Sequence, residues 1–164
     1  MPQKYAVFFL TLFFILVAQA DEKANFAGEW SFNRAKSEFG EGGDRFVPVR
    51  LVVTQNDTLM LVERTYQREY DNDFVDTLKF TLDGKENYSE FWRAPRTITA
   101  TWSENGQLLT IITKITFRRD NETSDMTSTE MWRLIENGSV LSRDFAINGP
   151  MGTLKATYIF TRME

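Results

Sequence analysis

With no histidine and no cysteine among its 164 residues, this chain has few groups with which to do chemistry. Zinc sites built on His or Cys are excluded, and so are Ser-His and Cys-His nucleophile systems. Carboxylates, Lys, Tyr and Arg remain. The cluster that stands out is Arg143 with Glu130 and Trp132, which the strand pattern below places on one inward face. Charges on such a face are costly unless paired and hydrogen-bonded. A guanidinium grips a carboxylate or phosphate with two parallel N–H bonds, so the functional reading of Arg143 is a socket for an anionic ligand group. The alternative is an internal Arg143–Glu130 pair solvated by water within a barrel. Arg64, Tyr66, Tyr88, Trp92 and Tyr158 would add an aromatic, hydrogen-bonding lining, or simply pack. Hydrolysis by paired carboxylates needs two acids facing one cleft. Glu130 is the inward acid that the pattern places, so no catalytic residue is assigned. Asp71/Asp73 and Asp120/Glu122 fall in turns without the spacing of a calcium loop, and neither a metal nor a cofactor is expected.

Strands must position these groups. Runs rich in Thr, Val, Ile, Phe, Tyr and Trp alternate with turn signals roughly every eight to fourteen residues. They predict strands at Glu29–Asn33, Val47–Gln55, Thr58–Arg68, Phe74–Leu82, Lys85–Phe91, Arg96–Ser103, Gln107–Arg118, Thr123–Ile135, Val140–Ile147 and Thr153–Arg162. Asn56-Asp57, Asp83-Gly84, Asn105-Gly106, Asn137-Gly138 and Asn148–Met151 mark the turns, Asn-Gly and Asp-Gly because both residues tolerate positive φ. Arg34–Phe46 reads as a loop with one short helical turn in Ala35–Phe39.

The hairpins fix one another's register. A two-residue turn at Asn105-Gly106 sets Trp102 against Leu109, Ala100 against Ile111 and Ile98 against Thr113. The next strand brings Met126 to Ile115, Glu130 to Ile111 and Trp132 to Leu109. Asn137-Gly138 then pairs Leu134 with Leu141 and Trp132 with Arg143. A four-residue Asn148–Met151 loop would pair Phe145 with Leu154, Arg143 with Ala156 and Leu141 with Tyr158. Five strands thus share one apolar face, and a one-residue slip would break the agreement. Earlier in the chain, Val49, Leu51 and Val53 face Met60, Val62 and Arg64, leaving Val52, Leu59 and Leu61 outside, under the Arg34–Phe46 loop. The phase of Lys85–Trp92 is not fixed, and a bulge is expected there. About ten strands in an up-and-down antiparallel meander remove their edges most economically by closing into a barrel or flattened barrel.

Met1–Ala20 has the form of a secretory signal peptide: Lys4, an apolar run from Ala6 to Val17, and Ala18-Gln19-Ala20 as the cleavage site. That run is shorter than the roughly twenty residues of a spanning helix. The expectation is a single domain over residues 21–164, secreted or periplasmic after cleavage following Ala20, with an uncleaved anchor as the alternative. Without cysteine its stability must come from its core. The balance of 19 basic against 23 acidic residues, with no basic run, argues against a nucleic-acid partner. Four N-x-[ST] triplets, at Asn56, Asn87, Asn121 and Asn137, would carry glycans in a eukaryotic secreted chain. Turn Asn followed by strand Thr or Ser makes the same triplets by chance.

Gly28-Glu29-Trp30 resembles the Gly-x-Trp entry of the calycins, the group of lipocalins, fatty-acid-binding proteins and avidins. The resemblance implies a barrel whose Trp lies at the closed end under an Arg or Lys of the last strand, here Trp30 and Arg162. Phe26–Asn33, Lys36-Ser37-x-Phe39, Asp83-Gly84-Lys85 and Tyr158 with Arg162 are also similar to a group of uncharacterised exported bacterial lipocalin-like proteins. The C-terminal helix of lipocalins and the helical lid of fatty-acid-binding proteins have no counterpart. Two functions follow as expectations. One is a binding protein holding a small amphipathic or apolar ligand, with or without an anionic group, near Arg143, Glu130 and Trp132. The other is a protein-interaction or inhibitor module acting through its outer face or loops. In that case Trp102, Trp132, Phe117, Phe145, Tyr158 and Phe160 would fill the barrel.

Overall fold

A computed structural model of the chain describes residues 22–40, 43–44, 47–68, 71–119, 122–150 and 152–164. The expected signal peptide, Asp120, Asn121 and Met151 lie outside the described residues. The strands are β1 (Gly28–Phe32), β2 (Arg50–Gln55), β3 (Leu59–Tyr66), β4 (Phe74–Thr81), β5 (Asn87–Phe91), β6 (Ala94–Trp102), β7 (Leu109–Arg119), β8 (Glu122–Ile135), β9 (Val140–Gly149) and β10 (Gly152–Arg162). They form one antiparallel sheet in the order β4-β3-β2-β1-β10-β9-β8-β7-β6-β5. The predicted meander is therefore present, closed between β1 and β10 and nearly closed between its edge strands, β4 and β5. A single 3₁₀ turn, Arg34–Lys36, follows β1, with the Asn33 side chain accepting from Lys36 N.

The registers of β6 with β7, β7 with β8 and β8 with β9 are those the turns predict, including Trp102↔Leu109, Ile111↔Glu130 and Trp132↔Arg143. Two hairpins differ by two residues. In β9–β10, Gly149 pairs with Gly152, so Phe145 meets Ala156, Arg143 meets Tyr158 and Leu141 meets Phe160. The ladder runs further into the Gly-rich connection than a four-residue loop allows. In β2–β3 the connection is longer than Asn56-Asp57, because Asn56 Oδ1 accepts from Thr58 N and Leu59 N and holds both out of the ladder. Leu51 thus pairs with Arg64 and Val53 with Val62. A two-residue slip keeps every side chain on its face, so the inner face survives both corrections.

Three further expectations are corrected. β5 carries no bulge: Asn87–Phe91 pairs residue for residue with Ile98–Ala94. Asp83-Gly84 does not make a ladder-forming hairpin, since β4 and β5 are the two sheet edges. Among the described residues of the 34–46 connection, Glu38 is bridged to Thr157 at the edge of β10, rather than lying over Val52, Leu59 and Leu61, which are half-buried.

The two ends of the barrel differ. At one end the interior is packed with Trp30, Trp132, Phe26, Phe160, Leu51, Leu109 and Ile98, all essentially without exposure. Phe26 precedes the first strand and closes this base as a plug, stacked on Trp102 at 5.9 Å and edge-on to Trp132 at 5.7 Å. Its backbone is fixed from two sides. Gln55 Oε1 accepts from Phe26 N at 2.9 Å, while Trp30 Nε1 donates to Phe26 O at 2.9 Å. Arg162 lies 4.2 Å over the Trp30 ring and donates to Ala27 O at 2.7 Å, as the calycin resemblance implies. Such a cation on an indole contributes about 0.5–2 kcal/mol. Gly28 makes room for it: its φ is +135°, and a Cβ there would run into Arg162 Nη1.

Candidate functional site

Above this packed base the inner face turns polar. Glu130 on β8 is buried and lies beside Arg143 of β9 and opposite Arg64 of β3. Arg64 binds it with both terminal nitrogens, Nη1 to Oε1 at 2.9 Å and Nη2 to Oε2 at 3.0 Å. Arg143 Nε donates to Oε2 at 2.7 Å, and Trp132 Nε1 donates to the same oxygen at 2.9 Å. Burial by itself would raise the Glu130 pKa. The Arg143 and Arg64 charges outweigh it and hold the carboxyl at about 2, so Glu130 is ionised at neutral pH. Burial would likewise lower the Arg64 pKa, and the Glu130 charge reverses this and raises it.

The carboxylate does not use up the donors around it. Among the described residues, Arg143 Nη1, Arg64 Nε and Thr113 Oγ1 are buried and have no hydrogen-bond partner. Arg143 is 1% exposed, and its guanidinium is flanked by the rings of Phe145 at 4.8 Å and Tyr158 at 5.6 Å. An unpaired buried donor costs about 1–3 kcal/mol, more when charged. Such groups call for an acceptor brought in from outside.

All three residues stand on the wall of a cavity of about 400 Å³. Its inner end is polar and positively weighted. A second ion pair, Arg96 of β6 with Asp76 of β4, also lines it. Three guanidiniums (Arg64, Arg96, Arg143) face two carboxylates (Glu130, Asp76), a surplus of one positive charge. Leu78, Ile115, Met126, Phe145 and Ile147 make the middle apolar. The outer end carries Tyr66, Phe74, Phe91 and Trp92 with Arg68. A larger hollow of about 530 Å³ lies between Glu38–Gly40 and strands β8–β10. It is lined by none of the buried charged residues, so the chemistry concentrates in the barrel cavity.

The structure brings together Arg143, Glu130 and Arg64 as cavity wall, with Trp132 behind Glu130. The cross-strand partner of Arg143 is Tyr158 and not Ala156: the Tyr158 ring packs against the guanidinium, and its hydroxyl donates to Gly43 O at 3.3 Å. Burial pushes the Tyr158 phenol up. Tyr88 is corrected outright. It is 76% exposed and its hydroxyl donates to Glu86, because in β5 the inward positions are Asn87, Ser89 and Phe91. Trp92 is at the cavity mouth, 66% exposed. Gly28, Trp30 and Arg162 lie at the base, away from the cavity.

Sequence reasoning missed Arg96 and Asp76. Arg96 is 3% exposed and uses all three nitrogens: Nε donates to Ser89 Oγ at 2.8 Å, Nη1 to both Asp76 oxygens at 2.8 Å, and Nη2 to Thr77 O at 2.9 Å. One guanidinium thereby ties β4, β5 and β6 together across the seam that lacks a ladder. The parity of Arg96 with Ile98 and Ala100 was a usable signal, and so was that of Asp76 with Leu78 and Phe80. Asp71 and Asp73 lie in the β3–β4 connection, where Asp71 accepts from Asn72 N and Arg68.

No family model matches the chain, and no curated protein does so at a significant level. Among solved structures it is similar to the zebrafish ileal bile acid-binding protein complexed with cholic acid. The identity is 16%, the match covers 84% of this chain and 98% of that one, and the TM-score is 0.54. The chain has the calycin fold expected from Gly28-Glu29-Trp30, and the structural neighbour is a binding protein.

Proposed function

We propose that this chain is an exported binding protein that holds a small amphipathic molecule in the barrel, its apolar body in the middle of the cavity and one anionic group at Arg143. The observation that carries the reading is Arg143 Nη1, a charged donor buried on the cavity wall and without a partner among the described residues. With Glu130 already satisfied by Arg64, Arg143 and Trp132, an acceptor from outside completes the cluster. The surplus of one positive charge favours a monoanion, and about 400 Å³ is within the usual range for small-molecule sites, roughly 300–1,000 Å³. Cholic acid, an acid with a large apolar body, is of this class, and the likeness to a protein complexed with it supports the reading. Export rests on the Met1–Ala20 pattern. The interaction-module reading drew on a filled interior. Large side chains fill the base, and the mouth half is hollow, which favours the ligand reading.

The test is native mass spectrometry of the protein purified from its own host, followed by denaturing extraction. A stoichiometric small acid released on unfolding supports the proposal, and the N-terminal mass reads the cleavage site directly. A second protein chain in the spectrum, with no small molecule, would sink it in favour of the interaction module.

A further inference from the structure

Trp92 is exposed over two thirds of its surface and still stands on the cavity wall. It occupies the two-residue turn between β5 and β6, where Phe91 pairs with Ala94. Both turn residues have positive φ, 48° at Trp92 and 67° at Arg93. A tight hairpin of this hand favours Asn and Gly at these places, and bulky side chains there carry backbone strain. The contacts of the ring suggest what that strain serves. Trp92 stacks on Phe91 at 5.1 Å and meets Phe74 of β4 edge-on at 5.4 Å. The Arg68 guanidinium lies over both the Phe74 and Trp92 rings, at 5.2 and 5.8 Å. The contacts of Trp92 with Phe74 and Arg68 cross the β4–β5 seam, where the sheet has no ladder, so the turn can swing without breaking β-sheet hydrogen bonds between those strands.

We propose that Trp92 is the gate of the cavity: held by Phe74 and Arg68 it shuts the mouth across the β4–β5 seam, and a ligand passes when the Phe91–Ala94 turn swings out. The proposal rests on the ligand-binding reading above and names how access to that site is regulated. The two positions of the turn are balanced by opposing costs. Shutting gains the ring and cation contacts, and opening releases the left-handed backbone. A gate of this kind controls entry and exit together, whereas a wall residue controls exit alone.

The experiment is stopped-flow binding of the anionic fluorophore 8-anilinonaphthalene-1-sulfonate to the parent protein, Trp92→Ala and Arg93→Gly, with Arg143→Met as the control that locates the dye inside. Trp92→Ala is expected to raise the entry and exit rates together, each about tenfold, with Kd changed less than about threefold. Arg93→Gly is expected to lower both rates, since glycine takes positive φ without strain and favours the shut turn. If Trp92→Ala raises the exit rate alone, or neither variant changes the rates, the gate is wrong and the binding reading stands. If no protein takes up the dye, or if Arg143→Met leaves uptake unchanged, the binding reading fails and the gate falls with it.

Discussion

Removing Arg96 should reveal what closes the barrel. This guanidinium joins three strands at the seam without a ladder, and Asp76, whose side chain is 12% exposed, is its ion-pair partner. In Arg96→Met the carboxylate of Asp76 and the carbonyl of Thr77 lose their donors. Breaking a buried pair from one side costs about 3–5 kcal/mol. The Asp76 charge also acts on Arg64, which compensates in part and places the expected loss near the lower end, about 3 kcal/mol. With an m-value near 2 kcal/mol per molar urea, the midpoint should fall by about 1.5 M with m unchanged. Replacing both partners leaves no orphaned charge, so Arg96→Met with Asp76→Leu should be more stable than Arg96→Met alone, by about 1–3 kcal/mol. Urea unfolding of the parent, both single variants and the double variant, followed by tryptophan fluorescence, measures the cycle. A single variant within about 0.5 kcal/mol of the parent, or a double variant whose loss is the sum of the two singles, would refute the idea that this pair holds the seam.

Three further outcomes are expected. Glu130 has a folded pKa of about 2 against an ordinary 4.5. Its contribution is therefore full above pH 4.5 and is lost as pH falls from 4.5 through 2, an effect of about 3 kcal/mol. Urea midpoints between pH 6 and pH 2 should show that part of the acid loss missing in Glu130→Gln. That variant should already be less stable at neutral pH, because two buried guanidiniums lose their counter-charge. Arg143→Met removes a charged donor and should weaken an anionic amphiphile about 10–100-fold, roughly 1.5–3 kcal/mol, as read by calorimetric titration. An uncharged analogue should lose little. Gly28→Ala should cost about 1–3 kcal/mol by thermal melting. Adding Arg162→Met should not restore it fully, since the clash is relieved but the positive φ remains.

The middle of the sheet was legible because its turns are chemically explicit. Asn105-Gly106 fixed β6 against β7, and Glu130 and Arg143 followed onto the inner face. Where the turn residues act through side chains, as Asn56 does, or where glycines let a ladder run on, as at Gly149 and Gly152, the register read from sequence slipped by two. The inner face was spared because the period of a strand is two. Tyr88 was misplaced because β5 has too little apolar alternation to set its phase. The inward parity of Arg96 and Asp76 could be read, but their pairing and the link from Arg64 to Glu130 were beyond reach for another reason. They join strands that are not neighbours in the ladder, and hairpin arithmetic has no rule for contacts across a barrel. Phe26 gave no warning, since it plugs the base from a segment that carries no strand period.

The pairing of β1 with β10 also bears on how the molecule is made. Most neighbouring strands here are joined by short hairpins that can form locally, but Trp30 meets Arg162, and Arg162 reaches Ala27 across 135 residues of sequence. That long loop must be closed before the base can pack. Until then β1 and β10 remain open edges, and a half-assembled sheet of this kind is prone to aggregate. Weakening the Trp30–Arg162 seam should therefore reduce the yield of refolding at high protein concentration more than it lowers the stability of the finished barrel.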